Sequence, residues 1–249
     1  MSELSTAVDE TSVSNPFARI VTVIISPSKA FADVKKSPGW WAPFVLASVV
    51  GLIYAYVLLH GVGLATLVDQ AIHQSSRLES QMASATPEAA AKIRHQIEFN
   101  FKFAYVAPVI SLLAGLMCAG IFLATANFGA GGRSTYAQML GVWFYASLPI
   151  TVYTLLIIAG VYTGAASDPF NINNAIGTNP GFYLTDSELP KTLIALLSSI
   201  DIFSIWTVAL LAIGISTVAG IKRGAAWAIV LGWWLVYVLL FKVTAAAFG

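Results

Sequence analysis

Asp201, in the stretch "LLSSIDIFSIW", is the one charged residue between Thr192 and Ile221. A carboxylate deep in lipid costs about 2.5–3.5 kcal/mol on insertion scales, so either it lies near an interface or its surroundings stabilise it. Three chemistries suit it: an ion pair that fixes helix register, an acid in a partner or substrate site, and a step in a proton relay. Lys242, in "LLFKVTAAAFG", is the one cation after Arg223. The turn "IKRG" puts both groups on one scale. Counted from Lys222, Asp201 stands about 31 Å back and Lys242 about 30 Å forward along a helix. An intramembrane ion pair Asp201–Lys242, direct or bridged by water, is therefore expected near the non-cytoplasmic interface.

The remaining reactive types are scattered. His60, His73 and His95 are separated in sequence, whereas metal sites need clustered ligands. Cys118 is the single cysteine, which excludes an internal disulfide. No H-E-x-x-H, paired membrane aspartate or G-x-S-x-G elbow occurs. "GAGGR" at 129–133 follows an apolar run, not the strand that a dinucleotide fingerprint requires. No catalytic residue, metal or cofactor is expected, and the chain reads as a non-enzyme.

The elements that position Asp201 and Lys242 follow from composition. Of 249 residues, 57% are hydrophobic and 10% charged, against about 25% charged in soluble domains. This is an all-α, polytopic integral membrane protein. A net charge of +1 gives no reason to expect nucleic-acid binding. Hydrocarbon needs about 20 helical residues, and five segments supply them, at about 40–62, 104–127, 137–162, 193–220 and 225–247. Together they make a membrane domain at 39–249. Pro149 should kink the third span.

Lys35–Lys36 and Lys222–Arg223 are basic doublets in short membrane-adjacent segments, which argues for an N-in, C-out orientation. Residues 1–15 read as a disordered polar tail. Residues 16–38 read as an amphipathic cytoplasmic-interface segment, with Phe31 and Val34 on one face and Lys35 and Lys36 beside it. Such a helix either lies among headgroups or packs on the bundle. Thr86-Pro87-Glu88 starts a helix that continues without a breaker into span two, so spans one and two should project beyond the membrane as a helical hairpin. The loop from Gly164 to Lys191, rich in Gly, Asn and Pro, reads as a solvated connector or a binding loop.

Small residues recur every four positions in the last two spans: Ala212, Ser216 and Gly220, then Gly224, Ala228 and Gly232. Folded about Lys222 they fall opposite one another, and such stripes let membrane helices approach closely. They are expected to form the seam of a tight hairpin carrying Asp201 and Lys242 at its far end.

Three ordered pieces resemble the Yip1-domain membrane proteins, particularly the short prokaryotic-type members. They are "SPSKAF" before the first span, "GGRSTYAQMLGVWFYASLP" leading into the third and "SIDIFSIW" in the fourth. The resemblance covers about residues 16–245 and implies a five-helix bundle with a cytoplasmic N-terminus. It also implies a bacterial cytoplasmic membrane as location. Eukaryotic relatives act in vesicle traffic with Rab-type GTPases. The Asp-Leu-Tyr-Gly-Pro motif of their cytosolic region does not occur here, so GTPase binding does not carry over. The expected partners are the lipid bilayer and other membrane proteins or further copies of the chain. Two functions stay open: a membrane adaptor or organiser acting through helix–helix contacts, and a small-molecule or lipid transporter.

Overall fold

A computed structural model describes residues 14–168, 170–172, 174–184 and 189–248. Residues 1–13 of the expected polar tail lie outside the described residues. Two short helices, α1 (Pro16–Ile25) and α2 (Pro27–Lys36), precede the first span. α3 (Trp41–Val57) continues through a π-helical turn into α4 (Leu64–Gln74), and α5 (Ser76–Ser84) forms the tip of a hairpin. α6 (Pro87–Lys102) runs into α7 (Ala107–Ala124). α8 (Tyr136–Ala146) and α9 (Leu148–Thr163) make the third span. α10 (Lys191–Ser199) precedes α11 (Ile202–Ala219), and α12 (Arg223–Tyr237) passes through another π-helical turn into α13 (Thr244–Phe248).

Among the described residues five helices are long and apolar enough to cross a membrane: Trp41–Gln74, Pro87–Gly129, Tyr136–Thr163, Ile202–Ala219 and Arg223–Ala247. Among the described residues all regular structure is helical. The first two helices, of 34 and 43 residues, reach about 51 and 65 Å and overrun a bilayer as a hairpin. Its second arm starts where the Thr86 hydroxyl accepts a hydrogen bond from the Ala89 amide. Arg94 on α6 holds Asp69 on α4 at 2.7 Å. In the third span the helix is interrupted at Ser147, two residues before Pro149. A proline cannot donate to the carbonyl four residues back and crowds it.

The short helix α2 packs one face into the bundle. Ala30, Phe31 and Val34 are fully buried against α8 and α11. Two glycines make that approach feasible. A Cβ on Gly141 would stand 2.8 Å from a Val34 methyl, and one on Gly214 would stand 3.0 Å from the Phe31 ring. Phe31 and Val34 therefore face protein and not lipid, which corrects a lipid-facing reading of those two positions and agrees with the alternative that the segment packs on the bundle. Lys35 and Lys36 remain at the surface, and Lys35 Nζ reaches the Thr217 carbonyl at 3.4 Å. The exposed apolar face belongs instead to α1, through Phe17, Val21, Ile24 and Ile25.

A buried arginine joins these short helices to the spans. Arg19 has no exposed surface. Its Nη1 donates to the Ser37 carbonyl at 2.6 Å and its Nη2 to the Ser14 carbonyl at 2.9 Å. The guanidinium lies 5.5 Å from the centre of the Tyr145 ring. The Tyr145 hydroxyl donates to the Pro16 carbonyl at 2.8 Å and lies 3.2 Å from the Gly39 carbonyl. Ser14 in turn donates its amide and hydroxyl to the Asp33 carboxylate. Gly39 takes φ +50° at this corner, a conformation that side chains disfavour.

Removing Arg19 would take the charged donor from the part-buried hydrogen bonds to the Ser14 and Ser37 carbonyls and leave its own buried volume empty. Arg19→Ala is expected to lower stability by about 3 kcal/mol and Tyr145→Phe by about 1 kcal/mol. Thermal melting of the detergent-solubilised protein checks the order, and equal or negligible shifts would contradict the latch.

Candidate functional site

The sequence places Asp201 inside a continuous span, but the structure breaks the helix there. α10 ends at Ser199 and α11 begins at Ile202, with Asp201 as its N-cap at φ −97° and ψ 145°. Aspartate is a favoured N-cap because its carboxylate accepts from the first free amides of the helix. Asp201 Oδ1 accepts from the Phe203 amide at 2.8 Å. Oδ2 accepts from the Thr178 hydroxyl. The partial positive charge at a helix N-terminus also favours a carboxylate there. Asp201 is only 8% exposed, so it is stabilised by its own helix and by a loop.

That loop is not a solvated connector. Asn174 and Asn179 are buried, together with Phe170 and Ala175. Asn179 Nδ2 donates to Asn174 Oδ1, and Asn174 Nδ2 donates to Ser198 Oγ, both at 2.9 Å. Asn179 Oδ1 accepts from the Phe182 amide at 2.9 Å. Gly181 lies so close to α10 that a Cβ would stand 2.7 Å from the Ser198 amide nitrogen. An asparagine relay thus ties the loop to α10 and carries Thr178 to Asp201. Sequence reading passed over these residues, because asparagine and glycine in a long loop give the same signal whether solvated or buried.

The direct form of the expected ion pair is not present. No salt bridge joins Asp201 and Lys242 among the described residues. They do converge on one cavity of about 230 Å³, lined also by Tyr153, Asn179, Ser199 and Ser204. The height argument placed both groups at one end of the bundle. It failed on contact because the cap satisfies Asp201 locally. Lys242 lies in the π-helical turn Val238–Val243.

The packing stripe is corrected as well. Ala212 is buried in α11, Ser216 Oγ donates to the Ile221 carbonyl at 2.8 Å, and Gly220 ends the helix at φ +71°. On α12 the residues turned inward are Ala226 and Val230, followed by Val238 in the π-helical turn. Gly224, Ala228 and Gly232 are exposed, and a Cβ on either glycine would meet nothing within 4 Å. Four-residue spacing identified a stripe but not the direction it faces.

Comparison with known proteins agrees with this architecture. A family model described as the Yip1 domain matches residues 21–244. The chain belongs to the Yip1 domain family. It is also similar to "Membrane protein YknW" of Bacillus subtilis (strain 168), with 26% identity over 205 residues, covering 82% of this chain and 80% of that protein. No solved structure matches. The five apolar helices and this relative give an integral membrane location, in keeping with the bacterial cytoplasmic membrane expected from the sequence.

If the cap stabilises Asp201, Asp201→Ala should cost about 1–2 kcal/mol. Asp201→Asn, which keeps an acceptor for the Phe203 amide, should cost less. Lys242→Gln should leave the melting temperature where it is. A loss in Lys242→Gln equal to that in Asp201→Ala would restore the ion pair.

Proposed function

We propose that this Yip1-domain membrane protein is a non-enzymatic organiser that works through lateral contacts between its spans and other membrane helices. The observation that carries the reading is the outward stripe on α12. Gly224, Ala228 and Gly232 leave a shallow, unfilled face where a second helix can approach closely. In lipid such approach is driven by packing and interhelical hydrogen bonds. Burial across the spans points the same way. In the most apolar window of the second and fifth spans 17% is buried, against 44% in the third and fourth. The outer two are the spans with surface to offer. On α7 the small residues Gly115 and Ala119 are already used inside, Gly115 against the Phe144 ring.

The orientation belongs to this reading. Lys35 reaches the Thr217 carbonyl, so the Lys35–Lys36 and Lys222–Arg223 doublets share one end of the bundle. The excess of cations in cytoplasmic loops assigns that end to the cytoplasm. The exposed apolar residues of α1 then sit against the cytoplasmic leaflet, where an amphipathic helix anchors. Lipid handling is the second reading, and the cavities at the Lys242 end favour it.

Native mass spectrometry of the chain, extracted from its own membrane into native nanodiscs, tests the organiser reading. A defined oligomer or a reproducible stoichiometric membrane-protein partner is expected, and Ala228→Leu should abolish it without lowering the melting temperature. A monomer in both proteins would contradict the proposal.

A further inference from the structure

We propose that the Lys242 end of the bundle holds a site for a phosphate-bearing amphiphile, the anionic head group of a membrane lipid. The site is a second cavity, of about 620 Å³, next to the one shared by Asp201 and Lys242. Lys242 and Ser198 line both. That volume falls within the range of about 300–1,000 Å³ typical of small-molecule pockets.

Charge selects the ligand class. Lys191, Lys242 and His73 line the larger cavity, and no carboxylate is among its described lining residues. Asp201 is turned to its cap and to Thr178. His73 faces Glu79 at 3.5 Å, which leaves the two lysines as the charges with no carboxylate partner among the described residues. Lys191 Nζ makes long contacts, 3.5 Å to the Gln74 carbonyl and 3.4 Å to Ser76 Oγ. Lys242 makes no hydrogen bond or ion pair among the described residues, although it is partly buried in an apolar helix. Its ammonium lines the cavity without a protein acceptor among those residues, and an anion there would supply one. Lys191 also opens α10, whose N-terminal dipole adds to the attraction for an anion.

Two further features separate a lipid head group from a bare ion. Gln70 lines the cavity and its Oε1 is buried without a donor. A hydroxyl on the head group satisfies that oxygen. The rest of the wall includes Leu67, Phe101, Phe170 and Ile194, apolar surface that suits the glycerol backbone and the first methylenes of an acyl chain. Lys242 owes its position to the π-helical turn, a distortion that recurs at functional sites. The proposal does not depend on lateral association of the spans.

The test is titration of the full chain, purified in a mild detergent, with dioleoyl phosphatidylglycerol or dioleoyl phosphatidylcholine, with bound lipid counted by native mass spectrometry. Phosphatidylglycerol is expected to bind more tightly, and each of Lys191→Gln and Lys242→Gln should weaken it about fivefold. Lys242→Arg, which keeps the charge, should retain binding, and so should Lys36→Gln at the opposite end of the bundle. Melting temperatures establish that the variants are folded. If inorganic phosphate competes at equal concentration, the anion site stands and its source is a soluble phosphate. Equal binding of the two lipids, or undiminished phosphatidylglycerol binding in a folded Lys191→Gln/Lys242→Gln protein, would overturn the proposal.

Discussion

Inside a bilayer every backbone amide and carbonyl must find a partner within the protein. Continuous helices meet that demand by themselves, but this chain is not built of continuous helices. It turns or breaks at Ser37–Gly39, Gly129–Thr135, Ile200–Asp201 and Gly220–Lys222. At each of these places a side chain closes the gap. Arg19 and Tyr145 reach the carbonyls of the first. Asn127 receives the Ser134 amide and donates to the Ser134 carbonyl at the second. Asp201 takes the Phe203 amide at the third, and Ser216 covers the Ile221 carbonyl at the fourth. The Arg133 amide, donated to the Ala219 carbonyl at 2.9 Å, links the second gap to the fourth.

These closures explain why polar residues stand where hydropathy alone would not put them. They also divide the bundle. α2, α8 and α11 are locked together through buried residues, close glycines and the Gln138 Nε2 bond to the Lys35 carbonyl at 2.6 Å. α7 and α12 lie outside that centre with their apolar faces outward. A rigid middle with uncommitted flanks suits a protein that binds sideways within the membrane. At the opposite end the asparagine relay and the Asp201 cap shape cavities without consuming Lys242, so a cation is left facing open volume.

Much of this was legible in the sequence, and the failures have physical causes. Five apolar runs gave the spans because the hydrocarbon sets their length, and Thr86-Pro87 marked the projecting arm because it is a helix start. Two of the three motifs that carried the family resemblance, "SPSKAF" and "GGRSTYAQMLGVWFYASLP", meet where Phe31 and Val142 pack together against Gly214. Asp201 stands in an uninterrupted apolar run that reads as one helix, although aspartate is itself a start signal. The stripe on α12 was identified but turned the wrong way, since spacing fixes a face and not its neighbour. Sequence reading assigns Arg19 no role. Nothing local distinguishes an arginine destined for burial, because its acceptors lie 5 to 19 residues away.

Peptide-resolved amide hydrogen exchange of the full chain in lipid nanodiscs tests most directly whether side chains close the helix breaks. The amides of Gly132, Arg133, Ser134, Ile202 and Phe203 stand at those breaks and each has an acceptor. The account predicts that peptides carrying them exchange as slowly as peptides from the middle of α11, and far more slowly than those from α5 at the exposed hairpin tip. Complete exchange at the breaks within seconds, with α11 still protected, would contradict it.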